Sequence, residues 1–336
     1  MKAVGYRHNL PIDAAEALLD IDLPAPRPGP HDLLVRVRAI SVNPVDAKVR
    51  ANVAPPAGEY KVLGWDAVGV VEEAGAEVRG FQVGQRVYYA GALDRAGANS
   101  ELHVVDARIA AVAPATLTDA EAAALPLTSI TAWELLFDRL QVAPGGGAGQ
   151  TLLVVGGAGG VGSILIQLAR RLTQLRIVAT ASRPETVEWC RTLGAHLVID
   201  HRSPMAPQLR AAGIEAVDMV AALTATDEHL ADIVDCLAPQ GKMALIDDPR
   251  AFDISLLKRK SISLHWELMF TRSLFQTAEM ARQGELLTEV AALVDAGKLK
   301  TTLDAHYGAI DAANLRRAHA LIESGKARGK IVLEGF

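Results

Sequence analysis

The run Leu152-Leu-Val-Val-Gly-Gly-Ala-Gly-Gly-Val-Gly-Ser-Ile-Leu165 decides the fold. Its first four residues read as a buried strand. Gly157, Gly159 and Gly162 then give G-x-G-x-x-G ahead of an apolar helix, read over Gly162–Arg171. Glycine is common, so the pattern alone is weak; a strand before it and a helix after it supply the context it requires. The first glycine permits a tight turn, the second lets backbone amides reach a pyrophosphate, and the third lets helix and strand pack closely. A phosphate then lies at a helix N-terminus, where free N–H groups and the dipole favour negative charge. A bare structural turn and the glycine loop of a methyl-donor-binding methyltransferase are the competing readings.

Downstream, strand and helix alternate, the pattern of a parallel sheet covered on both faces. Leu152–Val155, Arg176–Thr180, His196–Ile199, Ala216–Ala221, Lys242–Ile246 and Ser261–Leu264 are expected strands, with a helix over Pro184–Leu193. Upstream, short strands such as Lys2–Gly5, Leu33–Ile40, Ala67–Glu72 and Arg86–Ala90, punctuated by glycines, suggest a small barrel-like β domain. Thr118-Asp-Ala-Glu121 has capping-box spacing. The tail, with helices expected at Leu274–Gln283, Leu286–Ala296 and Asn314–Ser324 and a strand at Lys330–Leu333, is too long for the six-stranded unit. It is expected to return to the first domain. The division expected is 1–128 for the first part of the β-rich catalytic domain, 129–267 for the dinucleotide domain and 268–336 for the return.

Composition limits the partners. The 336 residues hold 34 Lys plus Arg against 39 Asp plus Glu, a net charge of −5, and show no basic stretch, a poor design for gripping a phosphate backbone. No nucleic-acid partner is expected. Cys190 and Cys236 cannot build a disulfide framework or a four-cysteine metal site. Arg7, Asp13 and Glu16 interrupt any secretory apolar run. Thr151 to Ala169 carries no charge, but glycines fill its centre, so no membrane span is expected and the chain reads as soluble and cytoplasmic.

The strand after the loop bears on which dinucleotide binds. An NAD site usually places Asp or Glu about 20 residues past the loop, to hold the ribose 2′-hydroxyl. Here that point falls at Ser182, followed by Arg183. Arginine offers a fork of donors to a 2′-phosphate, and serine adds a hydroxyl. NADP(H) is therefore expected over NAD(H), the alternative being that Arg183 is a solvated residue before the Pro184 helix.

The whole layout resembles the medium-chain dehydrogenase/reductase superfamily: a Rossmann dinucleotide domain inserted into a β-rich, GroES-like catalytic domain, an α/β fold. Ser41-Val-Asn-Pro-Val-Asp-Ala-Lys-Val-Arg50, Gly64-Trp-Asp-Ala-Val-Gly69 and Leu125-Pro-Leu-Thr-Ser-Ile-Thr-Ala-Trp133 resemble its quinone oxidoreductase branch. Leu257-Lys-Arg-Lys-Ser-Ile-Ser-Leu-His-Trp-Glu267 and Gly325-Lys-Ala-Arg-Gly-Lys-Ile-Val-Leu-Glu-Gly-Phe336 resemble the subset labelled zinc-type alcohol dehydrogenase-like. Catalytic zinc in the alcohol dehydrogenases is held by Cys, His and Cys with an open position. By motif those positions are Asn43, Trp65 and Leu127, so zinc is not expected despite the label.

Without a Lewis acid nothing lowers the pKa of an unactivated alcohol. What the resemblance implies is an NADPH-dependent reductase passing hydride to a quinone or an α,β-unsaturated carbonyl. It places Asn43 beside the nicotinamide as the catalytic residue, with Thr131 at the same end. Gly159, Gly160 and Val161 meet the pyrophosphate, and Ser182 and Arg183 hold the 2′-phosphate. His201 takes the place of an adenosine-side tyrosine. Leu223, Thr224, Ile246 and Asp247 follow strand ends on the ligand-binding edge, and Lys330 matches a lysine near the cofactor. Asp46 and Lys48 are expected to support the site as an ion pair. Trp65 either narrows the acceptor site or turns into the β domain as core. Trp266, with His265 and Glu267, either packs or lines the substrate cleft. The resemblance further implies a homodimer. Competing functions are an NADPH-binding sensor or structural protein with little turnover, and a zinc-dependent alcohol dehydrogenase.

Overall fold

In the computed structural model, which describes residues 1–336, Thr151–Val155 is the inner strand of a six-stranded sheet. The spatial order is Leu197–Ile199, Arg176–Thr180, Thr151–Val155, Val217–Ala222, Leu237–Leu245 and Ser263–Trp266, every pair parallel. Numbered along the chain this is 3-2-1-4-5-6, the doubly wound order that places ligands outside the carboxyl ends of the strands. The strands are short apolar runs because both faces are buried, as Leu153, Val178 and Val220 show at zero exposure. Helices Gly160–Leu172, Pro184–Leu193, Met205–Ala211 and Thr226–Cys236 make the crossovers. The uncharged stretch from Thr151 is thus a strand, a turn and a helix, and no helix is long and apolar enough to cross a membrane.

All six expected strands are present, with shifted ends. The fifth begins at Leu237, across a register shift between Val217 and Met219 of its neighbour. The sixth begins at Ser263, because Ser261 adopts a left-handed φ of 51°.

The chain divides into two compact units, Thr131–Met269 and the rest, Met1–Ile130 with Phe270–Phe336. The second of these is built on a seven-stranded sheet around the long strand Asp32–Val42, beside a three-stranded sheet that includes Lys2–Tyr6. In the long strand Val35, Val37 and Ala39 are buried and Arg36 and Arg38 exposed, the alternation its sequence sets. The tail returns to this unit: Lys330–Glu334 pairs antiparallel with the long strand, Ile331 opposite Val42 and Val332 opposite Ser41. Thr118 and Glu121 form the expected capping box.

One helix departs from expectation. Leu274–Gln283 is not helical throughout; a short helix covers Thr271–Leu274, and Gln276 turns the chain with a left-handed φ of 44°. The next helix, Arg282–Asp295, starts earlier than its apolar spacing suggests. Gly284 lies in its first turn because a Cβ there would stand 2.6 Å from the Arg108 carbonyl oxygen. Close backbone approach, not helix termination, is the reason for that glycine.

Candidate functional site

The glycine loop joins the first strand of the parallel sheet to the helix Gly160–Leu172. The tight turn falls on Gly156, whose φ is 86°, one residue before the motif's first glycine. Gly157 is needed for packing instead: a Cβ would lie 2.8 Å from the Ala179 Cβ and 3.2 Å from the Cys190 Sγ. A Cβ on Gly162 would lie 2.5 Å from the Gly156 carbonyl oxygen, so helix and turn pack as the motif demands. Gly159 differs. Its nearest obstacle is Gly156 O at 3.6 Å, so the protein does not itself require a glycine there. As the helix N-cap, Gly159 has no side chain to occupy the free amides of the first turn, among them those of Gly160, Val161 and Gly162. The cradle fits a pyrophosphate.

The loop is pinned by the second strand, whose end residue Thr180 accepts from Gly156 N at Oγ1 (3.0 Å) and from Gly157 N at its carbonyl (3.1 Å). Beyond Thr180 lie Ser182, half-buried, and Arg183, the N-cap of the helix Pro184–Leu193. The Arg183 guanidinium reaches Glu185 at 3.1 Å, an exposed pair. His201 follows the third strand, half-buried, ring-to-ring with His229 at 5.8 Å; burial and that neighbour lower its pKa. Thr224 follows the fourth strand, its Cγ2 2.9 Å from where a Gly156 Cβ would be, with Leu223 beside it. After the fifth strand Ile246 is half-buried, while Asp247 accepts from Thr226 N (2.9 Å) and Oγ1 (2.5 Å) and so holds the start of the preceding helix, Thr226–Cys236. The carboxyl edge of one sheet therefore gathers these cofactor candidates. Thr131 is buried in the helix Pro126–Trp133. Trp266, last residue of the edge strand, is 54% exposed and lies against Phe252, with ring centroids 6.4 Å apart.

The same unit holds two buried carboxyl groups that composition hides. Glu134 opens a π-helical turn, Glu134–Arg139, and hydrogen-bonds Glu267. Arg139 Nε donates to Glu267 Oε2 at 2.8 Å. Burial first, then the Glu134 charge, lifts the Glu267 pKa far above the carboxylate range.

The β-rich unit assembles a second constellation. Pairing of the tail strand with Asp32–Val42 delivers Lys330 to Asn43, the N-cap of the helix Pro44–Asn52. Lys330 Nζ donates to the Val42 carbonyl at 3.1 Å, to Asp66 Oδ2 at 3.0 Å and to Asn43 Oδ1. Asn43 Nδ2 donates to Asp66 Oδ2 at 2.7 Å, and Asp66 Oδ1 accepts from Leu127 N at 2.7 Å. An ammonium only donates and a carboxylate only accepts, so these partners fix which end of the Asn43 amide is oxygen. All of these side chains are buried. Asp46 caps the same helix, accepting from Asn43 N at 2.8 Å, and its Oδ1 has no partner. Burial, with a smaller push from Asp66, raises its pKa to about 7. On that helix Asp46 is buried and Lys48 exposed, and the positive charge of Lys330 favours the ionised form of Asp46.

Trp65 takes the core alternative. Its indole N–H donates to the Ala92 carbonyl at 3.1 Å, its ring meets Phe270 edge-on, and it is 1% exposed. Asp66 is the residue that sequence reading missed; the signal was a carboxylate between glycines in an apolar motif, Gly64 to Gly69.

Two family models match, an alcohol dehydrogenase GroES-like domain over residues 29–115 and a zinc-binding dehydrogenase domain over residues 193–333. A zinc-type alcohol dehydrogenase-like protein of Staphylococcus epidermidis is 36% identical over 99% of both chains. The chain belongs to the medium-chain dehydrogenase/reductase superfamily of oxidoreductases. Within the superfamily, a quinone oxidoreductase of Pseudomonas aeruginosa is 29% identical over 91% of this chain and 92% of its own. Among solved structures, a Rhizobium etli CFN 42 protein labelled zinc-dependent alcohol dehydrogenase is 56% identical with a TM-score of 0.96, covering 100% and 98% of the two chains. A mycobacterial protein, Rv1454c, solved with NADPH, is 28% identical with a TM-score of 0.82, over 99% of each chain.

The superfamily label raises the question of zinc, and the donor set does not fit it. The Asn43 amide is held at both ends, Trp65 offers only a donor N–H already in use, and the Leu127 side chain is a hydrocarbon. No group of three His, Cys, Asp or Glu side chains is arranged to hold a metal ion.

Proposed function

We propose that the chain is a zinc-independent, NADPH-dependent reductase that passes hydride to a quinone or an α,β-unsaturated carbonyl. The observation that carries the cofactor choice is the end of the second strand. There Ser182 and Arg183 stand where an NAD site needs an acid, and the nearest acid, Glu185, is turned to Arg183. Bound NADPH would supply the hydride. Gly157, Gly159, Gly160, Val161 and Gly162 offer backbone amides to the pyrophosphate, and Ser182 and Arg183 hold the 2′-phosphate. His201, Leu223, Thr224 and Ile246 border the same edge, with Thr131 at the nicotinamide end.

The acceptor class follows from the chemistry available. Hydride addition to a quinone or enone leaves negative charge on oxygen, which fixed hydrogen-bond donors can stabilise. The residues at the zinc positions offer no ligand set to activate a plain alcohol. Asn43, held between Asp66 and Lys330, acts through its fixed orientation. The similarity to a quinone oxidoreductase supports the same class.

The free edge of the sheet supports a homodimer. Ser263–Trp266 pairs on one side only, and Ile254, Leu256, Trp266 and Leu268 are exposed near it. We assign the enzyme to the cytoplasm.

A fluorescence titration with NADPH and NADH side by side tests the cofactor assignment. A charge-assisted bond to the 2′-phosphate, about 1.5–3 kcal/mol, predicts at least about tenfold tighter NADPH. Equal or NADH-favoured binding overturns it. Quinone- and enone-dependent NADPH oxidation tests the reaction. A sensor is the second reading, favoured by the mutual engagement of Asn43, Asp66 and Lys330; it holds if NADPH binds and no acceptor is turned over.

A further inference from the structure

The three positions at which the zinc alcohol dehydrogenases hold metal are not empty of design in this chain. Asn43 stands at the first, Asp66 directly follows Trp65 at the second, and Leu127 at the third gives its backbone N–H to Asp66. Asn43 and Asp66 both meet one positive charge, that of Lys330, which is 3% exposed. Its ammonium has three N–H donors, and three oxygens surround it: Val42 O, Asn43 Oδ1 and Asp66 Oδ2. We propose that Lys330 is a built-in cation that takes the place of metal, so that this region excludes a divalent ion by occupancy as well as by its lack of ligands. The device lies within the β-rich unit alone and holds whatever acceptor or cofactor the enzyme uses.

Charge and donor type lead to this assignment. A divalent ion entering beside a buried ammonium meets a like charge with little solvent between them, an unfavourable contact. Removing the ammonium inverts the situation. Asp66 is then an unpaired buried carboxylate with an amide oxygen and a carbonyl oxygen beside it, and an all-oxygen set suits hard ions such as Mn²⁺ rather than Zn²⁺.

The test uses the full chain and its Lys330→Ala variant, both stripped with chelator and dialysed against Zn²⁺ or Mn²⁺. Bound metal is read by atomic emission, and bound Mn²⁺ by electron paramagnetic resonance. Wild type should retain neither ion, and Lys330→Ala should take up Mn²⁺ at least about tenfold more tightly than wild type. The double variant Lys330→Met, Asp66→Asn, which buries no net charge, should take up none. Stoichiometric metal in wild type overturns the proposal, as does uptake by the double variant. If Lys330→Ala does not fold in metal-free buffer, Mn²⁺ should restore its near-ultraviolet circular dichroism. A variant that neither binds Mn²⁺ nor is refolded by it shows that no cation position was vacated, and the proposal falls.

Discussion

Lys330 Nζ lies 3.0 Å from Asp66 Oδ2, both side chains buried, across a separation of 264 residues. The contact ties the last strand of the chain to the motif that follows the first long strand. Two desolvated charges gain little over an apolar pair, but removing one leaves the other uncompensated, at about 3–5 kcal/mol. Lys330→Met and Asp66→Asn should each lower the denaturant-derived stability by about that much. The double variant should lose less than the sum, and strictly additive losses would show that the charges do not depend on each other.

The glycine loop separates structural from ligand-facing requirements. Gly162→Ala forces a Cβ to 2.5 Å from a backbone oxygen that cannot swing away, so it should lower stability by about 1–3 kcal/mol. Gly159→Ala meets nothing closer than 3.6 Å and should cost no more than about 1 kcal/mol as an N-cap change. Both should weaken NADPH. Thermal melts paired with cofactor titrations distinguish them, and a Gly159→Ala chain with unchanged affinity would remove that residue from the cradle.

The parallel sheet is readable from sequence because its strands are continuous apolar runs separated by helices, a signal that survives without tertiary information. Its glycine turn falls one residue earlier than the motif suggests: periodicity cannot say which of Gly156 and Gly157 carries the positive φ. The helix expected over Leu274–Gln283 fails because Gln276 is a left-handed turn with no glycine or proline to mark it. The site divides in the same way. Ser182 and Arg183 lie in a local motif and can be read from spacing. The Asn43–Asp66–Lys330 constellation spans most of the chain and exists only through the antiparallel pairing of Lys330–Glu334 with Asp32–Val42. Nothing local to Asp66 says that its partners are a C-terminal lysine and a backbone amide from Leu127.

Asp46 makes stability pH-dependent in a stated direction. Its pKa is about 7 in the folded chain, raised from 3.8, so near neutral pH the native state holds a proton that the unfolded chain has released. Its contribution is complete below about pH 4 and is lost as pH rises toward 7, by about 1.4 kcal/mol for each pH unit climbed between the unfolded and folded pKa values. Asp46→Asn keeps one acceptor for the Asn43 amide and cannot ionise. The difference in stability between wild type and Asp46→Asn should therefore move in favour of the variant between pH 4 and 7. A constant difference across that window would mean that Asp46 is ionised throughout.

Arg183 and Glu185 sit 3.1 Å apart at the start of the helix after the second strand, with side chains 37% and 54% exposed. So open a pair contributes little to stability, about 0.2–1 kcal/mol, and a 2′-phosphate can displace Glu185 from the guanidinium. The two residues should then act in opposite senses on one ligand. Arg183→Ala removes the donors and should weaken NADPH by about tenfold or more while leaving NADH nearly unchanged. Glu185→Gln frees Arg183 and removes a negative charge close to the phosphate, so it should tighten NADPH several-fold, again with little effect on NADH. Both effects should shrink as salt is raised, because exposed charges are screened. If Glu185→Gln leaves NADPH affinity where it was, Glu185 does not compete for Arg183. If Arg183→Ala weakens both nucleotides equally, the arginine supports the helix rather than the phosphate.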